Sequence, residues 1–268
     1  MRTALTIAGS DSGGGAGIQA DLKTFAAFGV YGTTVITAVT AQNTERVFET
    51  FALPAGLVAA QIDAVASDIE VHAVKTGMLA DAAIIEVIAA AVPRWRLPRL
   101  VVDPVMVAKS GDRLMASGAV GVLKARLLPL ADVVTPNRPE AEALADMPVA
   151  NAEDARTAAR RIHALGPKAI VIKGGHFDGD VITNLLFDGE TFHEFSTPRV
   201  LSRHTHGTGC TFASAMAALL AGGAGVADAA RQATDYVAGA VAHGLPLGHG
   251  HGPVDHFWRG APSADERA

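Results

Sequence analysis

The sequence has few of the features that mark exported or membrane proteins. Its 268 residues contain one cysteine, which excludes an intramolecular disulfide and fits a reducing compartment. Charged residues, glycine or proline interrupt every apolar stretch before the roughly 18 residues that a membrane-spanning helix needs. The first residues have the pattern of a strand and not that of a signal peptide. We therefore expect a cytoplasmic protein with no membrane partner.

Long basic runs, low-complexity linkers and obvious repeats are also missing. The formal net charge is −5, and without a Lys/Arg run this argues against nucleic acid as the main partner. Hydrophobic residues make up 49% of the chain, enough for a large core. We expect a single domain over residues 1–268, ending in a flexible tail from about 259 to 268.

Short apolar segments alternate with helical patterns along the chain. This alternation predicts an α/β fold with a mostly parallel central sheet and helices on both faces. The predicted strands cover residues 3–8, 31–39, 73–74, 100–102, 133–135 and 169–172, followed by a hairpin of 181–187 and 191–195. The predicted helices cover 18–28, 54–67, 82–91, a segment from about 139, 152–165, 208–221 and 226–242.

A polar or glycine group follows each predicted strand. In open parallel sheets, ligands bind outside the carboxyl ends of the strands, so these groups are expected to meet at one edge. Any one of them alone has the simpler interpretation of an ordinary loop residue. The groups are Asp11, Gln42, Gly77 with Met78, Asp103, Asn137 and Lys173.

Two glycine-rich segments precede predicted helices. The first, residues 9–17, matches neither the dinucleotide-binding pattern nor the P-loop pattern, so both of those sites are excluded. The second, His206 to Cys210, leaves backbone N–H groups at a helix N-terminus, where an anion binds well. The same field is expected to favour the thiolate form of Cys210. The alternative is a plain turn before a core helix, with an inert cysteine.

These parts together suit phosphoryl transfer. The anion hole would hold a phosphoryl group, Lys173 would supply positive charge, and Asp103, Asn137 and Glu140 would offer oxygen atoms to Mg²⁺. Simpler interpretations exist for each residue. Asp103 can cap a turn, Lys173 can be a solvated strand end, and Asn137 with Glu140 has the spacing of a helix capping box.

The order of the motifs resembles that of the ribokinase-type kinases, and within them the hydroxymethylpyrimidine/phosphomethylpyrimidine kinases of thiamine biosynthesis. Ser12-Gly13 departs from the Pro-Ser of many members. The matching motifs span almost the whole chain: Ala8–Asp11, Gly14–Lys23, Ala41–Thr44, Lys75–Leu79, Asp103–Gly111, Thr135–Glu140, Lys173–His176, Thr205–Cys210 and Gly252–Phe257.

The resemblance implies a three-layer α/β/α kinase that uses ATP and Mg²⁺, and a homodimer. Its implied reactions are phosphorylation of 4-amino-5-hydroxymethyl-2-methylpyrimidine and of the resulting monophosphate. Cys210, in the position of the aspartate base of related sugar kinases, would orient or deprotonate the hydroxymethyl oxygen. The implied pyrimidine pocket consists of Gly9, Asp21, Gln42, Met78 and Val105. The implied catalytic residues are Lys173, Gly207, Thr208, Gly209 and Cys210. Asp103, Asn137, Glu140 and Thr205 would lie near the nucleotide, with Asp103 and Glu140 on the metal, directly or through water.

Three alternatives stay open at this point. A pyridoxal-type kinase is the nearest, although Gln42 favours an aminopyrimidine because it pairs donor and acceptor groups. A non-catalytic vitamin sensor is the second, and the intact phosphoryl-transfer set argues against it. A metal site formed by His243, His249, His251 and His256 is the third. Its flexible spacing instead favours a solvent-facing loop near the nucleotide.

Overall fold

The computed structural model describes residues 1–107, 111, 114–116 and 118–260. Residues 108–110 of the Asp103–Gly111 motif lie outside the described residues. So do residues 261–268, which make up most of the expected tail. Arg259, at the start of that tail, places its guanidinium group over the rings of Phe28 and Tyr236.

Nine strands form one mixed sheet in the order β3-β2-β1-β4-β5-β6-β7-β8-β9. The six strands from β2 to β7 in this order are parallel, and the outer strands β3, β8 and β9 run antiparallel to their neighbours. The expectation of a mostly parallel sheet is therefore confirmed. The bounds are β1 Thr3–Asp11, β2 Tyr31–Gln42, β3 Val47–Ala52, β4 Ala73–Thr76, β5 Leu100–Val102, β6 Val133–Val134, β7 Ala169–Ile172, β8 Val181–Phe187 and β9 Phe192–Pro198.

Helices cover both faces of the sheet and enclose a hydrophobic core on each. One core lies beneath α2, α3, α5 and α6 and the other beneath α1, α7 and α8. This confirms the three-layer α/β/α architecture. The bounds are α1 Gly17–Ala27, α2 Ala55–Ala66, α3 Ala82–Arg94, α4 Ala119–Val122, α5 Arg138–Ala145, α6 Ala152–His163, α7 Thr208–Ala221 and α8 Val226–Ala242.

Several elements differ from the prediction, chiefly strands β2 and β3 and helix α3. Strand β2 continues to Gln42 and pairs with β3, a strand that the sequence pattern did not indicate because its side chains are mostly exposed and do not alternate. Helix α3 continues past the expected end at residue 91 to Arg94, with Pro93 in its last turn. A proline there costs only one helical hydrogen bond, and the helix ends directly after it.

The fold brings the carboxyl ends of the parallel strands and the start of α7 to the same edge of the sheet. Val101, Val133 and Val171 of the central strands pack in the core that α7 also enters with Phe212 and Met216. Among the described residues, no helix is both long and apolar enough to cross a membrane.

Candidate active site

The site is organised around a close contact between the two glycine-rich segments. Gly207, the N-cap of α7, has φ 84°, a conformation that glycine adopts without strain. A side-chain carbon at this position would overlap the carbonyl oxygen of Gly15. Only glycine therefore allows the start of α7 to lie against the turn that follows β1.

The first turn of α7 leaves backbone donors available. Thr208 N–H and Oγ1 both donate to the carbonyl oxygen of Thr205. Within the described part of the chain, the amides of Gly209 and Cys210 have no acceptor. With the positive end of the helix dipole, these two amides can hold an anion. The predicted anion hole thus centres on Gly209 and Cys210, whereas the Thr208 amide is occupied.

A cluster of charged side chains lies next to these amides. Lys173 Nζ is 2.7 Å from Asp103 Oδ1 and 4.0 Å from Glu140 Oε2. A carbon added at Gly209 would lie 3.3 Å from Lys173 Nζ, so the ammonium group reaches the first turn of α7. Asp103 also accepts a hydrogen bond from Thr135 Oγ1 at 3.2 Å. The structure therefore unites Asp103, Glu140, Lys173 and Gly209, as the sequence predicted.

Glu140 has a structural role and a place in this cluster. Its Oε2 accepts from Asn137 N–H at 2.8 Å, while Asn137 Oδ1 accepts from Glu140 N–H at 3.0 Å. This is the capping box that the spacing suggested. Burial, with a further contribution from Asp103, raises the pKa of Glu140 to about 7, against the opposing effect of Lys173.

Asp21 does not line a pocket, contrary to expectation. Its side chain is fully buried and both carboxylate oxygens lie 2.9 Å from Lys75 Nζ. Thr6 Oγ1 and Ser214 Oγ donate to the same carboxylate. Burial alone would lower the pKa of Lys75, but the charge of Asp21 outweighs it and raises that pKa. Asp21 is saturated by these partners and ties α1 to β4 and α7 beneath the site.

The other predicted pocket residues remain near the edge of the sheet. A carbon added at Gly9 would lie 3.1 Å from Met78 Sδ, so the glycine backbone and this methionine are in close contact. Met78 is buried, while Gln42 and Val105 are half-buried. These residues offer an apolar surface and one amide.

The expectation of a Cys210 thiolate is wrong for this structure. Burial raises the pKa of the Cys210 thiol to about 11, and nearby Asp21 and Asp103 oppose ionisation further, which the charge of Lys75 only partly offsets. The helix field that favours a thiolate is therefore outweighed by desolvation and by two carboxylates. At neutral pH the group is a thiol.

The sequence did not predict that Asp11 and His206 contact each other. His206 Nε2 lies 2.9 Å from Asp11 Oδ2, and both side chains are buried. Asp11 also accepts from the amides of Gly13, Gly15 and Ala16. Each residue belongs to a glycine-rich segment that the sequence had marked as a candidate site: Asp11 lies within the first, and His206 begins the second. Their contact spans 195 positions of sequence, and no local pattern reveals such a pairing.

The histidine-rich segment does not form a metal site. His249 and His251 are exposed, and the loop packs against Thr44, which follows the predicted pyrimidine pocket residue Gln42. His256 is instead buried and contacts Thr211 Oγ1 at 3.0 Å. Within the described ranges, no group of three or more His, Cys, Asp or Glu side chains could hold a metal ion. The loop is solvent-facing as expected, and it lies two residues from Gln42 through its contact with Thr44.

Comparison with protein families agrees with this geometry. Residues 11–255 match the family model described as phosphomethylpyrimidine kinase. The chain is 52% identical over 254 residues to the hydroxymethylpyrimidine/phosphomethylpyrimidine kinase of Streptomyces coelicolor, covering 95% of this chain and 94% of that protein. It is 54% identical over 253 residues to the thiamine biosynthesis bifunctional protein ThiED of Geobacter sulfurreducens, covering 94% of this chain but only 52% of that longer protein.

Solved structures include relatives of two named activities. A crystal structure of an ADP complex of Bacillus subtilis pyridoxal kinase has a TM-score of 0.90 at 39% identity, covering 96% of this chain and 97% of that chain. A crystal structure of phosphomethylpyrimidine kinase from Clostridium difficile has a TM-score of 0.79 at 42% identity, covering 88% of this chain and 98% of that chain. Kinases with either of these activities share the fold, so the residues of the site must determine which substrate is phosphorylated.

Replacing Lys75 by methionine tests the buried ion pair beneath the site. Removing the ammonium group leaves the Asp21 carboxylate buried without its counter-charge, so we expect the free energy of unfolding to fall by about 3–5 kcal/mol in urea denaturation. The matched control is Lys168→Met, which breaks an exposed pair with Asp132 and should cost about 1 kcal/mol or less. Equal losses of unfolding free energy in the two variants would contradict a stabilising role for the buried Lys75–Asp21 pair.

Alkylation of Cys210 tests its protonation state, because the chain has no other thiol. With a pKa of about 11, the rate of reaction with iodoacetamide should rise about tenfold per pH unit from pH 7 to 10, since only the thiolate reacts. The urea-unfolded chain serves as control and should level off above its ordinary pKa of about 8.5. A plateau below pH 8 in the folded protein would show a stabilised thiolate instead.

Proposed function

The chain belongs to the phosphomethylpyrimidine kinase family and is a phosphotransferase, and we propose that it acts in thiamine biosynthesis. Its first reaction transfers the γ-phosphoryl group of ATP to the hydroxymethyl group of 4-amino-5-hydroxymethyl-2-methylpyrimidine. Its second converts the monophosphate to the diphosphate. The observation that carries this proposal is the meeting of Lys173, Asp103 and the open amides of α7 at one edge of the sheet.

Positioning and charge stabilisation account for most of the proposed catalysis. The amides of Gly209 and Cys210 hold the transferring phosphoryl group. Burial alone would lower the pKa of Lys173, but Asp103 and Glu140 raise it, so the side chain stays cationic beside the developing negative charge. Thr205 supports this turn by accepting from Thr208. Each of these groups is in place before substrates arrive.

Cys210 orients the acceptor alcohol in this proposal. Because the thiol is protonated at neutral pH, it cannot remove a proton from the hydroxymethyl group in its resting state. Its sulfur can still contact that group from the first turn of α7. A loose phosphoryl-transfer transition state demands little base catalysis. The departure from the aspartate base of sugar kinases is therefore compatible with turnover.

The residues present fit a magnesium–nucleotide complex. Mg²⁺ usually binds one or two carboxylates together with waters and substrate phosphates, and Asp103 and Glu140 supply two carboxylates beside Lys173. The ion would neutralise phosphate charge. Asn137 orients Glu140 through the capping box. The Bacillus pyridoxal kinase structure, a relative at 39% identity, is an ADP complex, which supports nucleotide binding by this fold.

A cytoplasmic homodimer is part of the same proposal. The chain's single cysteine suits a reducing compartment. The edge strand β3 and its neighbour β2 expose Tyr31, Phe48 and Phe51, each more than half accessible. A second copy of the chain would cover this apolar surface.

Side-by-side measurement of ADP release tests the proposal. We expect turnover with the hydroxymethylpyrimidine and with its monophosphate, and weaker turnover with pyridoxal. Lys173→Met should lower kcat by about 10²–10³-fold, since it removes a preorganised charge. The exposed Lys168→Met is the matched control and should retain activity.

The opposite substrate pattern would overturn the assignment. Turnover of pyridoxal with neither pyrimidine would make the chain a vitamin B6 kinase instead. Binding of the pyrimidine without ADP release would indicate a sensor.

A further inference from the structure

The C-terminal segment from Gly252 to Trp258 lies against the start of α7. The N–H of His206 donates to the carbonyl oxygen of Gly252 at 3.1 Å, and the N–H of Val254 donates to the carbonyl oxygen of His206 at 3.3 Å. His206 directly precedes Gly207, the N-cap of α7. The segment carries the last of the motifs found in the sequence, and its backbone holds the residue at which the anion hole begins.

His256 joins this segment to α7 and α8 by hydrogen bonds. Its Nε2 lies 3.0 Å from Thr211 Oγ1, a contact that spans 45 positions of sequence. Its carbonyl oxygen accepts from Tyr236 Oη. His256, Thr211 and Tyr236 expose only 3%, 0% and 1% of their surface. Because an unpaired polar group is costly inside the protein, removing either partner of the His256–Thr211 bond should displace the other.

Thr211 closes the turn that carries the open amides. Its N–H donates to the carbonyl oxygen of Gly207 at 2.9 Å, which completes the first turn of α7. Two other buried helical threonines, Thr24 and Thr234, donate their hydroxyl groups to carbonyl oxygens of their own helices. Thr211 instead shares its hydroxyl group with His256. The turn is therefore anchored from outside its own helix.

The first turn of α7 depends on such outside contacts because its amides lack partners within the helix. On one side, Gly207 lies against the carbonyl oxygen of Gly15. His256 supplies a second contact through the threonine hydroxyl group. Two points of contact fix the tilt of the turn, whereas one would let it pivot. The directions in which the N–H groups of Gly209 and Cys210 point therefore depend on both contacts.

The His256 ring is uncharged at neutral pH. Burial, with a further contribution from Lys23, lowers the pKa of His256 to about 4, and Asp255 opposes this only in part. A neutral ring adds no positive charge to the anion hole, in contrast to the ammonium group of Lys173. An effect of His256 on phosphoryl transfer would therefore act through the position of α7.

We propose that His256 is a positioning residue for phosphoryl transfer: its hydrogen bond to Thr211 holds the open amides of α7 in the orientation that receives the transferring phosphoryl group. The inference rests on the proposed function and extends it to the C-terminal segment. Removing one donor of such an anion hole costs about 10²–10³ in kcat, so a partial loss of alignment should cost about tenfold. The alternative is that the bond stabilises the fold and leaves turnover unchanged.

Replacing Thr211 by valine removes the hydroxyl group with little change of shape. ADP release by the full-length protein is measured with saturating ATP and varied hydroxymethylpyrimidine, at a temperature at which thermal melting shows every variant to be folded. We expect kcat to fall about tenfold while the pyrimidine KM stays within about twofold, since only the alignment of the phosphoryl group changes. Thr234→Val is the matched control, because its buried hydroxyl group on α8 accepts from Asn184 Nδ2. Its kcat should stay within about twofold of the wild-type value.

Two substitutions at His256 separate the hydrogen bond from the bulk of the ring. Glutamine can place an amide group near the position of Nε2 and should keep kcat within about twofold, whereas leucine should lower kcat about tenfold. In His256→Leu, the NMR signals of the Gly209 and Cys210 amides should also shift, and they should shift less in His256→Gln. Combining His256→Leu with Thr211→Val should lower kcat no further. If His256→Leu does not fold, the two threonine variants still decide the question.

Three outcomes would overturn the inference. They are an unchanged kcat in Thr211→Val, an equal loss of kcat in Thr211→Val and Thr234→Val, and an equal loss in the two His256 variants. Failure of the proposed function looks different, because it is seen in the wild-type protein. If that protein phosphorylates pyridoxal and neither pyrimidine, the proposed substrate is refuted, and the same comparison of kcat values with pyridoxal decides the inference. If it releases no ADP with any of these compounds, the reaction and the inference are refuted together.

Discussion

The contact between Gly207 and the carbonyl oxygen of Gly15 is the constraint on which the site depends. It places the start of α7 against the turn after β1 with no side chain between them. The open amides of Gly209 and Cys210 consequently face the edge where the parallel strands end. Asp11 and His206 join the same two segments through their side chains. Backbone proximity and a buried hydrogen bond thus hold the two segments together at this edge.

Charge is arranged around this contact in two layers. Beneath the site, Asp21 and Lys75 neutralise each other without exposure to solvent, and breaking such a pair costs more than forming it gains. At the edge of the sheet, Lys173 is shared between Asp103 and Glu140. The first pair supports the fold, and the second is where we propose that the nucleotide and Mg²⁺ bind. The two roles differ because Lys75 and Asp21 are inaccessible to solvent, whereas the Lys173 side chain is 13% accessible.

The sequence predicted the architecture and the meeting of Asp103 with Lys173, because strand–helix alternation and residues at strand ends are local signals. Glu140 comes three residues after the strand-end residue Asn137, and the structure places its carboxylate near Lys173. The predictions that were wrong concern contacts between distant segments of the chain. The burial of Asp21 by Lys75 and the desolvation of Cys210 depend on which segments pack together. Strand β3 was missed for another reason, since its exposed side chains carry no alternation.

Replacing Gly207 by alanine tests the central contact most directly. The control is Gly223→Ala, whose φ of 93° is equally unfavourable for alanine but whose added carbon meets nothing within 4 Å. If the contact between the two glycine-rich segments builds the site, Gly207→Ala should lower kcat/KM for the pyrimidine by about 100-fold or more, since small displacements of catalytic groups cost that much. Gly223→Ala should stay within about twofold of the wild-type protein, its backbone strain costing about 1 kcal/mol of stability. Activity of Gly207→Ala equal to that of Gly223→Ala would contradict the account.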